Sequence, residues 1–478
     1  MDEEKLNELE EIFNPKSVAI VGASSSMKFG SFFLNSLKGF GFEGDLYPVN
    51  PKESEIMGFK SYPTVNDIPG DVDFVGISVP ARYVPGVMKD CAQKGVKAVE
   101  IFSSGFSELD DNGNSLEKEI IKIAVEGGFR IIGPNCFGIY CPSSKMTLLP
   151  GYDFSKESGP VAFIGQSGGY SADLCVRAKG WGINFSKVIS YGNACDLNET
   201  DFIEYFGCDP DTKIITAYIE GVRGRHFVEV VRDVTKKKPV IIWKGGLTKS
   251  GARAVASHTG SLGGQEKLWK AVFKQTGAIS VNSLEEIMDT TLAFLHIPVD
   301  CGRNVTILGG GGGIGVAAAD ACERENLNLP LFSQDVQKKL RALLPPVGNS
   351  VKNPIDMGAP IAPAGIFKQM MEIAGEDPDI DVIILDQSIH YMALMGAGIL
   401  KRLIKIASKI KESYKKPIIA VLRSTPTEVE MLKTEGEWRK TRDKYLAEGI
   451  PVYPTLERAA SALNNVNSYG DYLKKIEG

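Results

Sequence analysis

Three times along the chain, a short β-branched, apolar run ends in a glycine-rich loop that opens onto a helical pattern. The first is Ser17-Val-Ala-Ile-Val-Gly22, followed by Ala23-Ser24-Ser25-Ser26 and a helical run from Ser31 to Leu37. The second is Val161-Ala-Phe-Ile-Gly165, followed by Gln166-Ser167-Gly168-Gly169 and a run from Ser171 to Lys179. The third is Val305-Thr-Ile-Leu308, followed by five glycines, Ile314, Gly315 and an alanine-rich run to Glu325. Short strands with no polar face, alternating with amphipathic helices, mark parallel sheets covered on both sides. The chain is therefore read as α/β, with one sheet per opening.

Length agrees: 478 residues suit about three domains of ~150 residues each. Proline, glycine and polar residues gather at Pro142–Ser158 and His296–Arg303, so the expected domains are 1–145, 146–298 and 299–478. In the first, further strands are expected at Asp45–Val49, Asp73–Val79, Ala98–Phe102 and Arg130–Ile132.

Composition closes off several functions. A net charge of −5 argues against a nucleic-acid protein held by a general basic field. The eight cysteines contain no C-x-x-C pair and the four histidines are scattered, so no metal centre is expected. Free thiols suit a reducing cytoplasm. Met1–Glu11 is charged rather than a leader, and no run approaches the ~20 apolar residues of a membrane span.

In parallel α/β sheets ligands gather at the carboxyl ends of the strands. A helix start there offers free N–H groups and a partial positive charge, and glycine lets a phosphate approach. After the first loop, the second strand ends in Val49-Asn50-Pro51-Lys52. A dinucleotide site usually has an acid there; Asn50 and Lys52 better suit a phosphorylated ribose or pyrophosphate, unless Lys52 is a solvated charge. In the second loop Ser167 fits three roles: nucleophile of a G-x-S-x-G elbow, helix cap or phosphate ligand.

Among the histidines, His226 reads as a surface residue or cap neighbour, and His296 as a helix C-terminus favoured by the dipole. His390 follows a strand and is a weaker ligand candidate. His258 stands apart. It lies in Lys244–Gly264, a stretch of glycine, serine, threonine and alanine read as a long mobile loop. An imidazole there is a nucleophile that two partners can reach in turn. Glu220, at the end of the strand Ile214–Ile219, is placed to orient one imidazole nitrogen.

Taken in order, Gly22-Ala-Ser, Ser78-Val-Pro80, Gly133-Pro-Asn135-Cys-Phe-Gly138, Gly165-Gln-Ser-Gly168, Tyr218-Ile-Glu220-Gly, Ser257-His258-Thr-Gly260 and the third loop resemble the α subunits of ADP-forming acetyl-CoA synthetases. These belong to the NDP-forming acyl-CoA synthetases of the succinyl-CoA synthetase superfamily. The resemblance covers essentially the whole chain. It implies a Rossmann-like CoA-binding domain followed by two flavodoxin-like domains, and an acid–thiol ligase working through acyl phosphate and phosphohistidine at His258. Glu220 would steady the phosphohistidine. Ser167, Gly168 and Gly169 would cradle the phosphoryl group, with Gly310, Gly311 and Gly312 as a second cradle. Coenzyme A would be held by Gly22, Ala23, Ser24, Ser25, Lys28, Asn50, Lys52, Ser78, Val79, Pro80, Ser103, Ser104, Gly105 and Asn135. The family's nucleotide site lies in an ATP-grasp unit, for which the chain has no candidate. ADP or ATP with Mg2+ is therefore expected on a separate β subunit, in an α2β2 assembly.

Two departures leave the acid open. The family's third loop commonly has Asn at its start and Pro before its last Gly, and Asn353-Pro-Ile-Asp356 here continues as Met-Gly-Ala-Pro. The competing readings are a serine hydrolase using Ser167 and His258, an NAD(P)-dependent oxidoreductase, and a CoA-binding regulator without activity.

Overall fold

The strand β1 (Ser17–Val21) is buried along its whole length, as a strand covered on both faces must be. It is the second strand of a parallel five-stranded sheet, with β2 (Asp45–Val49) on one side and β5 (Phe74–Ile77), β6 (Ala98–Ile101) and β7 (Arg130–Ile132) following in that order on the other. Between β2 and β5 lies a small antiparallel pair, β3 (Glu55–Ile56) and β4 (Phe59–Lys60). The covering helices include α1 (Glu3–Phe13), α2 (Phe29–Phe40), α3 (Val84–Lys94) and α4 (Asp111–Gly127). The expected strands are all present, with ends differing by one or two residues. The computed structural model describes residues 1–26, 28–149, 154–224, 226–259, 266–309, 311–345, 347–357, 363–389, 397–423 and 432–478; at 256–259, 397 and 432–433 only the backbone is described.

A second sheet has seven strands in the order β14-β13-β12-β10-β11-β8-β9. Its parallel strands are β10 (Val161–Gly165), β11 (Phe185–Ser190), β12 (Ile214–Ile219), β13 (Val240–Lys244) and β14 (Ile279–Val281). At one end of the sheet β8 (Gly138–Cys141) runs antiparallel to β11 on one side and to the edge strand β9 (Met146–Thr147) on the other. The chain thus enters the second sheet before residue 145, where the sequence suggested a domain boundary. The helices are α5 (Gly168–Gly180), α6 (Glu199–Cys208), α7 (Phe227–Thr235), α8 (Lys249–Thr259) and α9 (Glu266–Thr276). Both sheets belong to one compact unit, Met1–Ile287. They share a core in which Phe13 of α1 stacks on Tyr205 of α6 at 5.4 Å. Beside those rings Lys187 and Asp209, each 2 % exposed, pair at 3.1 Å.

The second unit, Met288–Gly478, contains a third sheet ordered β16-β15-β17-β18-β19. Its strands are β15 (Val305–Gly309), β16 (Ile355–Asp356), β17 (Val382–Ser388), β18 (Ile418–Arg423) and β19 (Val452–Tyr453), all parallel. The helix α10 (Leu284–His296) leads into this unit, and α11 (Gly312–Arg324) follows the third glycine loop. All eight cysteines are free. No helix among the described residues is long and apolar enough to cross a membrane.

Two readings change. Lys244–Gly264 is not one long loop, because α8 occupies Lys249–Thr259. The helix carries three alanines, Ala252, Ala254 and Ala256, and alanine is the best helix former. Thr248 Oγ1 accepts the Gly251 N–H at 3.1 Å, a helix cap at the start. His296 does end α10, but the dipole does not govern it. Burial and the Lys411 ammonium push its imidazole down to about 4, so it is neutral near pH 7.

Candidate functional site

Gly22 follows β1 with φ +94°, and a Cβ there would lie 2.3 Å from the Ser78 carbonyl oxygen. Only glycine allows the first loop to lie this close to the loop after β5. Ser31 Oγ of α2 donates to the Ser24 carbonyl at 2.6 Å and accepts the Ser24 N–H at 3.2 Å. Asn50 braces the loop: its Nδ2 donates to the Ala23 carbonyl at 2.7 Å, and its Oδ1 accepts the Lys52 N–H at 2.9 Å. Glu53, which the sequence reading missed, accepts the Ser25 N–H at 2.9 Å and also the Ser25 hydroxyl. These bonds hold its carboxyl below the usual range. The acid absent at position 50 is thus supplied three residues later. Lys28 and Lys52 are exposed at the rim.

The remaining residues assigned to this sheet gather at the same strand ends. Ser78, Val79 and Pro80 follow β5, and Ser103, Ser104 and Gly105 follow β6. The Ser103 hydroxyl donates to the Val79 carbonyl, and the Ser103 carbonyl accepts the Asn135 N–H at 3.1 Å. Glu108 accepts the Gly105 N–H at 2.6 Å and the Asn193 side-chain amide at 2.6 Å, so it joins this edge to the second sheet. Beneath it Glu100 of β6 is buried against Gly138, and its Oε2 has no hydrogen-bond partner. Burial pushes this carboxyl up to about 8.

The second loop ends at Ser167, the N-cap of α5, whose Oγ accepts the Tyr170 N–H at 3.4 Å. Ser167 has φ −98° and ψ 123°, ordinary extended backbone rather than the strained turn of a nucleophile elbow. A Cβ on Gly168 would lie 2.7 Å from the Phe137 ring, whereas one on Gly169 would meet only Ser167 Oγ, at an ordinary contact distance of 4.0 Å.

Gln166, noted in the loop but given no role, ties this helix start to Glu220. Its Oε1 accepts the N–H groups of Glu220 at 2.7 Å and Gly221 at 3.0 Å. The Tyr218 hydroxyl donates to Glu220 Oε1 at 3.1 Å. Lys244 Nζ donates to the Glu220 carbonyl at 2.7 Å, and burial brings its ammonium down to about 8. His258 lies in the last turn of α8, with its side chain outside the described residues. His226 is exposed, with Nδ1 2.5 Å from Glu229, and His390 lies outside the described residues.

The second glycine loop faces a cleft of about 360 Å³ in the first unit. Ser104 and Asn135 line it from the first sheet, and Ser167, Gly168 and Gly169 from the second, with the rings of Phe29, Phe102 and Phe137 between them. Aromatic residues this far apart in the chain carry no joint signal in the sequence, so this wall is legible only in three dimensions.

In the second unit, Gly309 has φ +142°, and a Cβ there would lie 2.0 Å from the Asp386 carbonyl oxygen. Gly310 lies outside the described residues. Gly311 caps α11 and Gly312 begins it, at a cavity of about 340 Å³ that Asp356 and Asp386 also line. Arg423 pairs with Asp386 at 2.6 Å. Burial raises the Asp386 carboxyl, against the pull of Arg423. Among the described residues no group of three or more His, Cys, Asp or Glu side chains is arranged to hold a metal ion.

Three domain families match in succession: a CoA-binding domain over residues 16–142, a succinyl-CoA ligase-like flavodoxin domain over 158–294, and a ligase-CoA domain over 305–452. The α subunit of acetate–CoA ligase [ADP-forming] I from Pyrococcus furiosus is 38% identical over 98% of this chain and 99% of its own length. The acetate–CoA ligase [ADP-forming] of Methanocaldococcus jannaschii is 37% identical over 98% of this chain and 66% of its own. A solved acetyl-coenzyme A synthetase 1 from Candidatus Korarchaeum cryptofilum, in complex with phosphate and ADP, superposes with a TM-score of 0.83 at 33% identity, covering 99% of both chains.

Proposed function

This chain belongs to the ADP-forming acetate–CoA ligase family, a family of acid–thiol ligases, and from that premise we propose that it carries the acyl-CoA and phosphohistidine half of the reaction. Coenzyme A lies along the carboxyl edge of the first sheet, against the loops at Gly22–Ser25, Asn50–Lys52, Ser78–Pro80 and Ser103–Gly105, with Lys28 at the rim and Asn135 beside the thioester. Phosphate sits at the α5 start, on the N–H groups of Gly168 and Gly169 beside Ser167. A phosphate oxygen attacks the thioester carbonyl carbon. The carbon–sulfur bond breaks, and coenzyme A leaves as the thiol as acyl phosphate forms.

The His258 imidazole then takes the phosphoryl group from acyl phosphate, releasing the carboxylate. Glu220 accepts a hydrogen bond from the N–H of that ring and stabilises the positive charge of phosphohistidine. Helix-start dipoles meet the charge of the transferring group, at α5 and, through Gly310–Gly312, at α11. His258 hands the phosphoryl group to ADP, held with Mg2+ by an ATP-grasp β subunit in an α2β2 assembly.

The observation that carries this reading is the Gln166 bridge. It fixes the phosphate-cradling helix start and the Glu220 strand end to one another, at a cleft that Ser104 and Asn135 also line. The hydrolase alternative loses support from the relaxed backbone of Ser167 and its capping bond. The test is to incubate the chain with acetyl-CoA and labelled phosphate and measure both free coenzyme A and label on the protein. About one equivalent of label per chain is expected, absent from His258→Ala, which still releases coenzyme A as acyl phosphate forms. Undiminished label on His258→Ala would remove the phosphohistidine step, and no coenzyme A release from any acyl-CoA would favour the inactive regulator.

A further inference from the structure

We propose that Tyr218 is a positioning residue for the phosphoryl transfer, its hydroxyl orienting the Glu220 carboxylate for the ring of His258; the inference rests on the proposed function above. Glu220 is gripped at two levels. Gln166 and Lys244 hold its main chain, one at the N–H and the other at the carbonyl. Tyr218 holds the side chain, donating its hydroxyl to Oε1 at 3.1 Å. The terminal torsion of a glutamate is broad, so a fixed main chain does not by itself orient the carboxylate. A donor on one oxygen sets its plane. Both residues are buried, where a hydrogen bond to a charged acceptor is strong.

The second sheet and the start of α5 together fix that hydroxyl. In the sheet register Tyr218 of β12 lies between Gly165 of β10 and Trp243 of β13. Its ring meets Trp243 edge-on at 4.7 Å and Tyr170, in the first turn of α5, at 4.8 Å. Tyr170 and Trp243 are themselves 4.8 Å apart, which closes a triangle of favourable, directional contacts. The Tyr218 ring is thereby clamped between the strand end that carries Glu220 and the helix start assigned to phosphate. Gly245 leaves room for the hydroxyl: a Cβ there would lie 2.8 Å from it. Burial and the Glu220 carboxylate raise the Tyr218 phenol above its usual range, so it keeps its proton and stays a donor. The ring alone would satisfy the core; the hydroxyl serves the carboxylate.

The test follows the labelling of His258 over time in the full chain supplied with acetyl-CoA and labelled phosphate. Tyr218→Phe is expected to slow labelling about tenfold, the effect of losing one hydrogen bond to a charged group. In chains that also carry Glu220→Ala, Tyr218→Phe should make no further difference, because the carboxylate it orients is gone. In chains that also carry His258→Ala, where the reaction ends at acyl phosphate, coenzyme A release should be unaffected by Tyr218→Phe. Gly245→Ala, which presses a methyl onto the same hydroxyl, should likewise slow labelling only while Glu220 is present, and it decides the matter if Tyr218→Phe does not fold. Labelling of folded Tyr218→Phe at the parent rate, slowing that persists in the Glu220→Ala chains, or coenzyme A release slowed as much as labelling overturns the inference while leaving the proposed function standing. No label on His258 of the parent chain would instead overturn the proposed function, and the inference with it.

Discussion

Oε1 of Gln166 accepts the main-chain N–H of Glu220 at 2.7 Å, from a side chain that is 4 % exposed. One carboxamide thereby couples the loop after β10 to the end of β12. Gln166→Ala leaves two buried N–H groups, of Glu220 and Gly221, without that acceptor. Each such loss costs about 1–3 kcal/mol. Urea unfolding should show a loss of about 2 kcal/mol or more, and coenzyme A release should slow because the α5 start and Glu220 lose register. An unchanged midpoint would show that the bridge contributes nothing.

Adjacent glycines should behave differently. Gly168→Ala drives a methyl into the Phe137 ring, whereas a methyl at Gly169 would make only an ordinary contact with Ser167 Oγ. Overpacking of this kind costs about 1–3 kcal/mol. Thermal unfolding should separate the two, with Gly168→Ala clearly destabilised and Gly169→Ala near the parent. Equal effects would contradict the packing described for Phe137.

Glu100 gives a pH dependence with a definite sign. Burial raises its carboxyl from the ordinary 4.5 to about 8 in the folded chain. Between those values the unfolded chain has released a proton that the folded chain keeps. The stability contribution is full below 4.5 and is lost as pH rises toward 8. The nearby Cys136 thiol, itself raised well above its usual value by burial, stays neutral across this window. Glu100→Gln should flatten the fall in urea midpoint between about pH 5 and about pH 8. An identical fall in the variant would assign the dependence elsewhere.

The pair Lys187–Asp209 is almost fully enclosed. Lys187→Met leaves the Asp209 carboxylate without its cation, and breaking such a pair from one side costs about 3–5 kcal/mol. Replacing both, with Lys187→Met and Asp209→Asn, should recover part of that loss in chemical denaturation. A double variant no more stable than the single one would argue against the pairing as the source.

Much of the fold was legible because the three glycine loops follow strands buried on both faces, a pattern with no helical alternative at that length. The β-branched run Val161–Gly165 and its helix were read directly. The helix α1 was missed because Met1–Glu11 was weighed only as a targeting segment, though Leu9, Ile12 and Phe13 have helical spacing and are buried. The helix α8 is hidden in the sequence because small residues suit a loose loop as well as a helix. Gln166 lies within the quoted loop, yet no local rule indicates that its amide reaches the end of β12, a neighbour in the sheet that is more than fifty residues away in sequence. Phe29, Phe102 and Phe137 come from three separate loops and helices, and only the packing of the two sheets in the first unit unites them.

The central claim is that His258 carries the phosphoryl group. The direct measurement is mass spectrometry of the chain after incubation with acyl-CoA and labelled phosphate, and separately with a β subunit and labelled ATP. The account predicts an acid-labile, base-stable phosphate on His258 from both directions, reduced in Glu220→Gln and absent in His258→Ala. Phosphate located on another residue, or full labelling of His258→Ala, would contradict it.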